Sequence, residues 1–198
     1  MSLEPSVLRE RITLEEWASL DEEVKGEFVD GALVEEEVPG TVHEVLVSWL
    51  VMVLGVWSNS GRVLVLASGL KLIVSSRRGR VPDVVVYLEA TPKPPVSGVT
   101  RVPPSIVVEV VSAAARDARR DRVDKLAEYA AFGVRWYWLV DPALRSLEIL
   151  ELGADGRYVH ALAATGGRLE QVPGCPGLVL DLDAAWKRVD EYLAVASP

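Results

Sequence analysis

Residues 105–112 read SIVVEVVS, a run with branched apolar side chains on both faces and a single carboxylate, Glu109, inside it. Consecutive β-branched residues without polar alternation mark a strand covered on both sides, which calls for a sheet with helices packed against it. Period two puts Glu109 on the same face as Val107 and Val111. An ionised carboxylate alone there would cost on the order of several kcal/mol, so Glu109 has to be neutralised, paired or bound to a cation. An arginine held against it meets that need as well as a metal ion would. The segment by itself leaves both open.

The rest of the chain supplies the covering elements. Thr13 and Glu16 form a capping box opening a short helix through Leu20. GEFVDGALVEEE alternates about Asp30-Gly31, a two-residue hairpin signal. Thr41 and Glu44 make a second capping box, for a helix over roughly 42–58 that is apolar around most of its circumference and is stopped by Asn59-Ser60-Gly61. Strands follow in RVLVLA, GLKLIVSS and PDVVVYLE, with a turn from Arg77 to Arg80. A proline-rich loop leads into 105–112. A helix of about 18 residues, ending at Phe132 before Gly133, precedes the strand RWYWLV. SLEILEL, GRYVHALA and GLVLDL read as later hairpin strands, and DAAWKRVDEYL as a terminal amphipathic helix. In RWYWLV, Trp136 and Trp138 share one face and Tyr137 takes the other. The expected fold is mixed α/β: a central mixed sheet flanked by helices, with extra C-terminal β-hairpins and a terminal helix.

Length and composition agree. At 198 residues, 49% hydrophobic and 25% charged, residues 1–198 suit a single globular domain. One cysteine, Cys175, excludes an internal disulfide and a cysteine-rich zinc site, and fits a reduced, cytoplasmic setting. The N-terminus lacks a signal-peptide pattern, and the apolar stretch Val45 to Trp57 is too short to span a bilayer. A soluble protein is expected.

Asp83 and Lys125 are the natural companions of Glu109. Asp83 opens the strand VVVYLE after Pro82. If 83–88 and 105–111 pair as a hairpin, with Tyr87 or Leu88 opposite Ser105 or Ile106, Asp83 falls within about a residue of Glu109. Two carboxylates that close repel unless one is protonated or a cation lies between them, and an all-oxygen pair favours Mg²⁺ or Mn²⁺ over zinc. Lys125 lies four residues after Asp121 and four before Tyr129, so the three share a helix face. Its ammonium can reach back to the strand end or simply pair with Asp121.

VPDVVVY, PPSIVVEVVS and DRVDKLAEYAAFGVRWYWLVDP together resemble the bacterial Uma-two family of restriction endonucleases. The resemblance extends to GEFVDGALVE, His43 and VPGCPGLVLDL, and covers residues 14–185. It implies a restriction-endonuclease-like PD-(D/E)xK core in which Pro82-Asp83 and Glu109 supply the acidic motif. The usual lysine two positions after the glutamate is replaced by Val111, and Lys125 on the following helix matches the family's displaced lysine. Glu27 and His43 match accessory positions, as an outer ligand and as a proton-transfer or supporting group, with Asp121 beside Lys125.

The function implied is a Mg²⁺- or Mn²⁺-dependent DNA endonuclease. The alternative is a catalytically inactive nucleic-acid- or protein-binding module on the same fold. A formal charge of −8 opposes polyanion binding at long range, so a nuclease needs a local basic rim. Arg77, Arg78 and Arg80 precede Asp83, and Arg116, Arg119, Arg120 and Arg122 precede Lys125. Among these, Arg78, Arg80, Arg116, Arg119 and Arg120 are the candidate phosphate contacts. A homodimer is expected, since a two-strand cut needs two sites.

Overall fold

The computed structural model describes residues 10–21, 24, 26–34, 40–58, 63–67, 69–112 and 120–196. In chain order, β1 (Glu10–Arg11), α1 (Leu14–Ser19), β2 (Glu27–Val29), β3 (Ala32–Val34) and α2 (Thr41–Trp57) come first. They are followed by β4 (Leu64–Ala67), β5 (Leu72–Ser75), β6 (Arg78–Arg80), β7 (Val84–Tyr87) and β8 (Ile106–Val110). A π-helical turn, Arg120–Asp124, runs directly into α3 (Lys125–Phe132), which ends at Gly133 in the left-handed region, φ 93°. The chain closes with β9 (Trp136–Asp141), β10 (Ser146–Leu152), β11 (Tyr158–Ala164), β12 (Arg168–Leu169), β13 (Leu180–Asp181) and α4 (Leu182–Ala196).

The branched run of 105–112 lies where its composition demands. β8 is an interior strand of a six-stranded sheet ordered β11-β10-β9-β8-β7-β4. It pairs antiparallel with β7 and parallel with β9, and the sheet is therefore mixed. One face carries Val84, Val86, Ile106, Val108, Val110, Trp138 and Val140 against Leu46, Leu50 and Leu54 of α2 and Trp186 and Val189 of α4. The other carries Val85, Tyr87, Val107, Val111, Tyr137 and Leu139 with Tyr129 of α3. Trp136 packs on the first face beside Trp138, opposite Tyr137, as their alternation requires.

A second sheet, ordered β1-β3-β2-β6-β5, holds the N-terminal hairpin. Asp30 and Gly31 take positive φ, 51° and 80°, the turn conformation that Asp-Gly favours between two paired strands. Trp17 of α1 is fully buried in this sheet's own core with Phe28, Leu33 and Ile73. Its ring lies on Gly79, where an added Cβ would fall 2.4 Å from Trp17 Cζ3.

Several expectations are corrected. The first capping box, Thr13 with Glu16, forms, but the second does not: Gly40 is the N-cap of α2, without a side-chain cap, and Thr41 is already helical. Its expected stop at 59–61 lies outside the described residues. Arg78 to Arg80 form a strand and not a turn, because β6 is needed to join β2 to β5. The 18-residue helix is, over its described part, a π turn followed by α3. The Tyr137 hydroxyl donates to the Asp121 carbonyl at 2.9 Å, occupying an acceptor that a regular helix would use. The expected C-terminal hairpin forms as β10–β11 and extends the central sheet.

Candidate active site

The β7–β8 register decides where the two carboxylates meet. Val84 lies opposite Val108 and Val86 opposite Ile106, so the next pair outward is Asp83 and Glu109. Asp83 Oδ2 accepts the Val110 N–H at 2.7 Å, which fixes the carboxylate across the strand end. His43, in the first turn of α2, brings Nε2 within 3.2 Å of the same oxygen, and its Nδ1 lies 3.4 Å from Glu44.

Glu109 is buried on the α3 face. Lys125 Nζ lies 3.0 Å from its Oε1, and the Tyr129 hydroxyl donates to the same oxygen at 2.8 Å. Lys125 is itself 1% exposed and is also 3.2 Å from Asp121 and 3.4 Å from Glu27. The π turn and α3 thus aim Asp121, Lys125 and Tyr129 at the strand end together. The buried charges here are paired with opposite ones.

These neighbours set the proton affinities. Burial pushes the Glu109 carboxyl well above its ordinary value; Lys125 opposes this, while Asp83, Asp121 and Glu27 add to the rise. Glu27 behaves oppositely. Burial would raise it, but Lys125, Arg80 and Arg120 outweigh burial and hold it at about 2. Burial lowers and Asp83 and Glu44 raise His43, with a net rise. The Tyr129 phenol is held well above its usual range by burial and by Glu109, so it remains a hydrogen-bond donor.

The arginines divide. Arg80 is 2% exposed, with Nη1 donating to Glu27 at 2.5 Å and Nε and Nη2 gripping Glu128 at 2.7 and 2.8 Å. It faces the interior and not a phosphate rim. Arg78, half-buried, bridges Asp30 and Glu128. Arg120 lies 3.8 Å from Glu27 and 3.7 Å from Asp121, beside the acidic cluster. Arg77 is exposed and pairs with Asp30; Arg122 bridges Asp141 and Glu148. Arg116 and Arg119 lie outside the described residues.

Sequence reasoning did not single out Glu128 or assign a role to Tyr129. Both follow Lys125 within one turn, and the i, i+4 spacing of Lys125 and Tyr129 was the available signal for the second. Asp83 is the more open of the two facing acids. Among the described residues no three or more His, Cys, Asp or Glu side chains are grouped so as to hold a metal ion. An all-oxygen pair whose buried member resists ionisation is a donor set that a hard cation would relieve.

The family profile described as "Putative restriction endonuclease", Uma2, matches residues 13–183. The chain belongs to the Uma2 family. Among solved structures, this Uma2 chain is similar to one from Anabaena variabilis described as a "putative nuclease belonging to DUF820", at 18% identity and TM-score 0.69. That match covers 90% of this chain and 99% of the other, and it shows a shared fold. The type IIG restriction endonuclease BpuSI matches at 13% identity and TM-score 0.40, over 82% of this chain and 18% of its own length. The search of curated proteins gives no match. No helix among the described residues is long and apolar enough to cross a membrane.

Proposed function

We propose that this Uma2 protein is a divalent-metal-dependent endonuclease that hydrolyses DNA phosphodiester bonds. The observation that carries the reading is the register that sets Asp83 across from Glu109, with the buried Lys125 ammonium on Glu109. Asp83 and Glu109 would hold Mg²⁺ or Mn²⁺. When bound, the ion would acidify a water and draw charge from the scissile phosphate.

The chain's own groups do the rest. Lys125 would offer a positive charge to the scissile phosphate, and Glu27 and Asp121 keep its ammonium near the strand end. His43 orients Asp83 through its contact with Oδ2. Arg78, Arg116, Arg119 and Arg120 stay the candidate phosphate contacts, while Arg80 serves the scaffold that carries Glu27. A cut through both strands takes two sites, and a homodimer supplies them.

The test is cleavage of plasmid, linear duplex, single-stranded and branched DNA at low salt with each metal. Asp83→Ala should abolish activity. Lys125→Ala should lower it by very roughly 10²–10³-fold, by analogy with loss of a single charge-stabilising donor. Equal background from wild type and Asp83→Ala on every substrate would refute catalysis and leave the fold a binding module.

A further inference from the structure

Among the described residues, the hydrogen bond and the ion pair of Glu109 both fall on one of its two oxygens. The Tyr129 hydroxyl donates to Oε1 at 2.8 Å, and Lys125 Nζ lies 3.0 Å from the same atom. Oε1 thus faces a donating hydroxyl and an ammonium whose positive charge repels a second cation there. The lone pairs left for a cation are those of Oε2.

We propose that Tyr129 is a positioning residue of the metal site, whose hydroxyl, with Lys125, fixes Glu109 as a one-oxygen ligand through Oε2. The inference rests on the metal-dependent reading above and adds a residue to it.

The two donors are not equivalent. Lys125 is divided among Glu27, Asp121 and Glu109, and its flexible stem can redistribute three N–H groups as charge changes around it. Tyr129 cannot. Its ring is fully buried and packs edge-on against Tyr137, with centroids 5.2 Å apart and planes at 63°. Its hydroxyl therefore arrives at Glu109 from a fixed direction set by α3 and β9. Should Lys125 turn toward a phosphate or a water during the reaction, Tyr129 would keep Oε1 occupied and the carboxylate plane unchanged. Groups that orient a ligand in this way typically govern metal affinity by about 10–100-fold.

The experiment is a Mn²⁺ titration of the full chain, read by thermal unfolding and by the electron-spin signal of free Mn²⁺. It compares wild type, Tyr129→Phe and Tyr158→Phe. Tyr158 is the control, because its hydroxyl donates to the Val134 carbonyl at 2.7 Å in the same core cluster without touching Glu109. Tyr129→Phe should raise the Mn²⁺ midpoint by about 10–100-fold, while Tyr158→Phe leaves it in place. Cleavage at saturating Mn²⁺ should fall far less than the midpoint shifts. An unchanged midpoint in Tyr129→Phe, an equal rise in Tyr158→Phe, or a Tyr129→Phe chain that no longer folds would each overturn the proposal. A wild-type chain that binds no Mn²⁺ would instead bring down the metal reading itself, which is a separate result.

Discussion

Neutralising Glu27 and neutralising Glu109 should change stability in opposite directions, although both are buried carboxylates within reach of one ammonium. Glu27 is held at about 2 against an ordinary 4.5. A depressed folded value stabilises above the unfolded value and loses that stabilisation as pH falls through the folded one. At about 1.4 kcal/mol per pH unit, the difference amounts to ~3 kcal/mol at neutral pH. Breaking a buried pair that leaves Arg80 short of a partner falls in the same range, about 3–5 kcal/mol. For a chain of this length, Glu27→Gln should then lower Tm by roughly 6–12 °C. Glu109 is raised, so its ionised form is disfavoured in the fold, and stability is lost as pH climbs from the unfolded toward the folded value. Glu109→Gln should therefore be neutral or stabilising at pH 7.5 without metal, with the gain shrinking as pH falls toward 4.5. Urea unfolding at pH 7.5, 5.5 and 4.5 in the presence of a chelator measures all of this. If Glu109→Gln costs as much as Glu27→Gln at pH 7.5, or if its benefit grows on acidification, the reasoning is wrong.

Two further outcomes follow from the same geometry. Mg²⁺ or Mn²⁺ at 100 times its Kd should stabilise the wild type by about 2.7 kcal/mol, roughly 5–11 °C in Tm, and this rise should vanish in Asp83→Ala and Glu109→Gln. Gly79→Ala should cost about 1–3 kcal/mol through overpacking, since its Cβ would stand 2.4 Å from the buried Trp17 ring; a urea midpoint equal to wild type would remove that contact from the account.

The strand pair at the site was legible because two independent patterns agree there. Period two fixed the face of Glu109, and the expected pairing of Tyr87 with Ser105 or Ile106 is the one that forms, since Val86 opposes Ile106. Lys125 was legible through its match to the family's displaced lysine, while its spacing from Asp121 foretold the pairing across one turn. Arg80 was not. SSRRGR has the composition of an exposed turn, and the partners that bury it, Glu27 and Glu128, stand 53 and 48 residues away. No local window contains them. The second sheet escaped for the same reason: β6 has only three residues, and its identity as a strand comes from β2 and β5 on either side. The π turn takes a hydroxyl from β9 on its Asp121 carbonyl, again a contact that sequence spacing does not announce.

The position of the lysine has a structural logic of its own. A lysine two residues after Glu109 would share its face, because side chains in a strand alternate. In this chain that place belongs to Val111, which is buried with Val107, Tyr129 and Tyr137 beneath α3. The same face is covered by α3, so a residue at the start of that helix approaches the strand end from above instead of from along the strand. Lys125 does so and brings Nζ to 3.0 Å from Glu109. The move carries a consequence that a strand lysine would not have. On the helix, the ammonium also meets Asp121 of its own turn and Glu27 of the second sheet. Glu27 in turn is bound by Arg80, and Arg80 by Glu128 on α3. The lysine's placement is thus tied to the docking of the N-terminal sheet, and any shift of that sheet relative to α3 would alter charge at the site before it altered the central sheet.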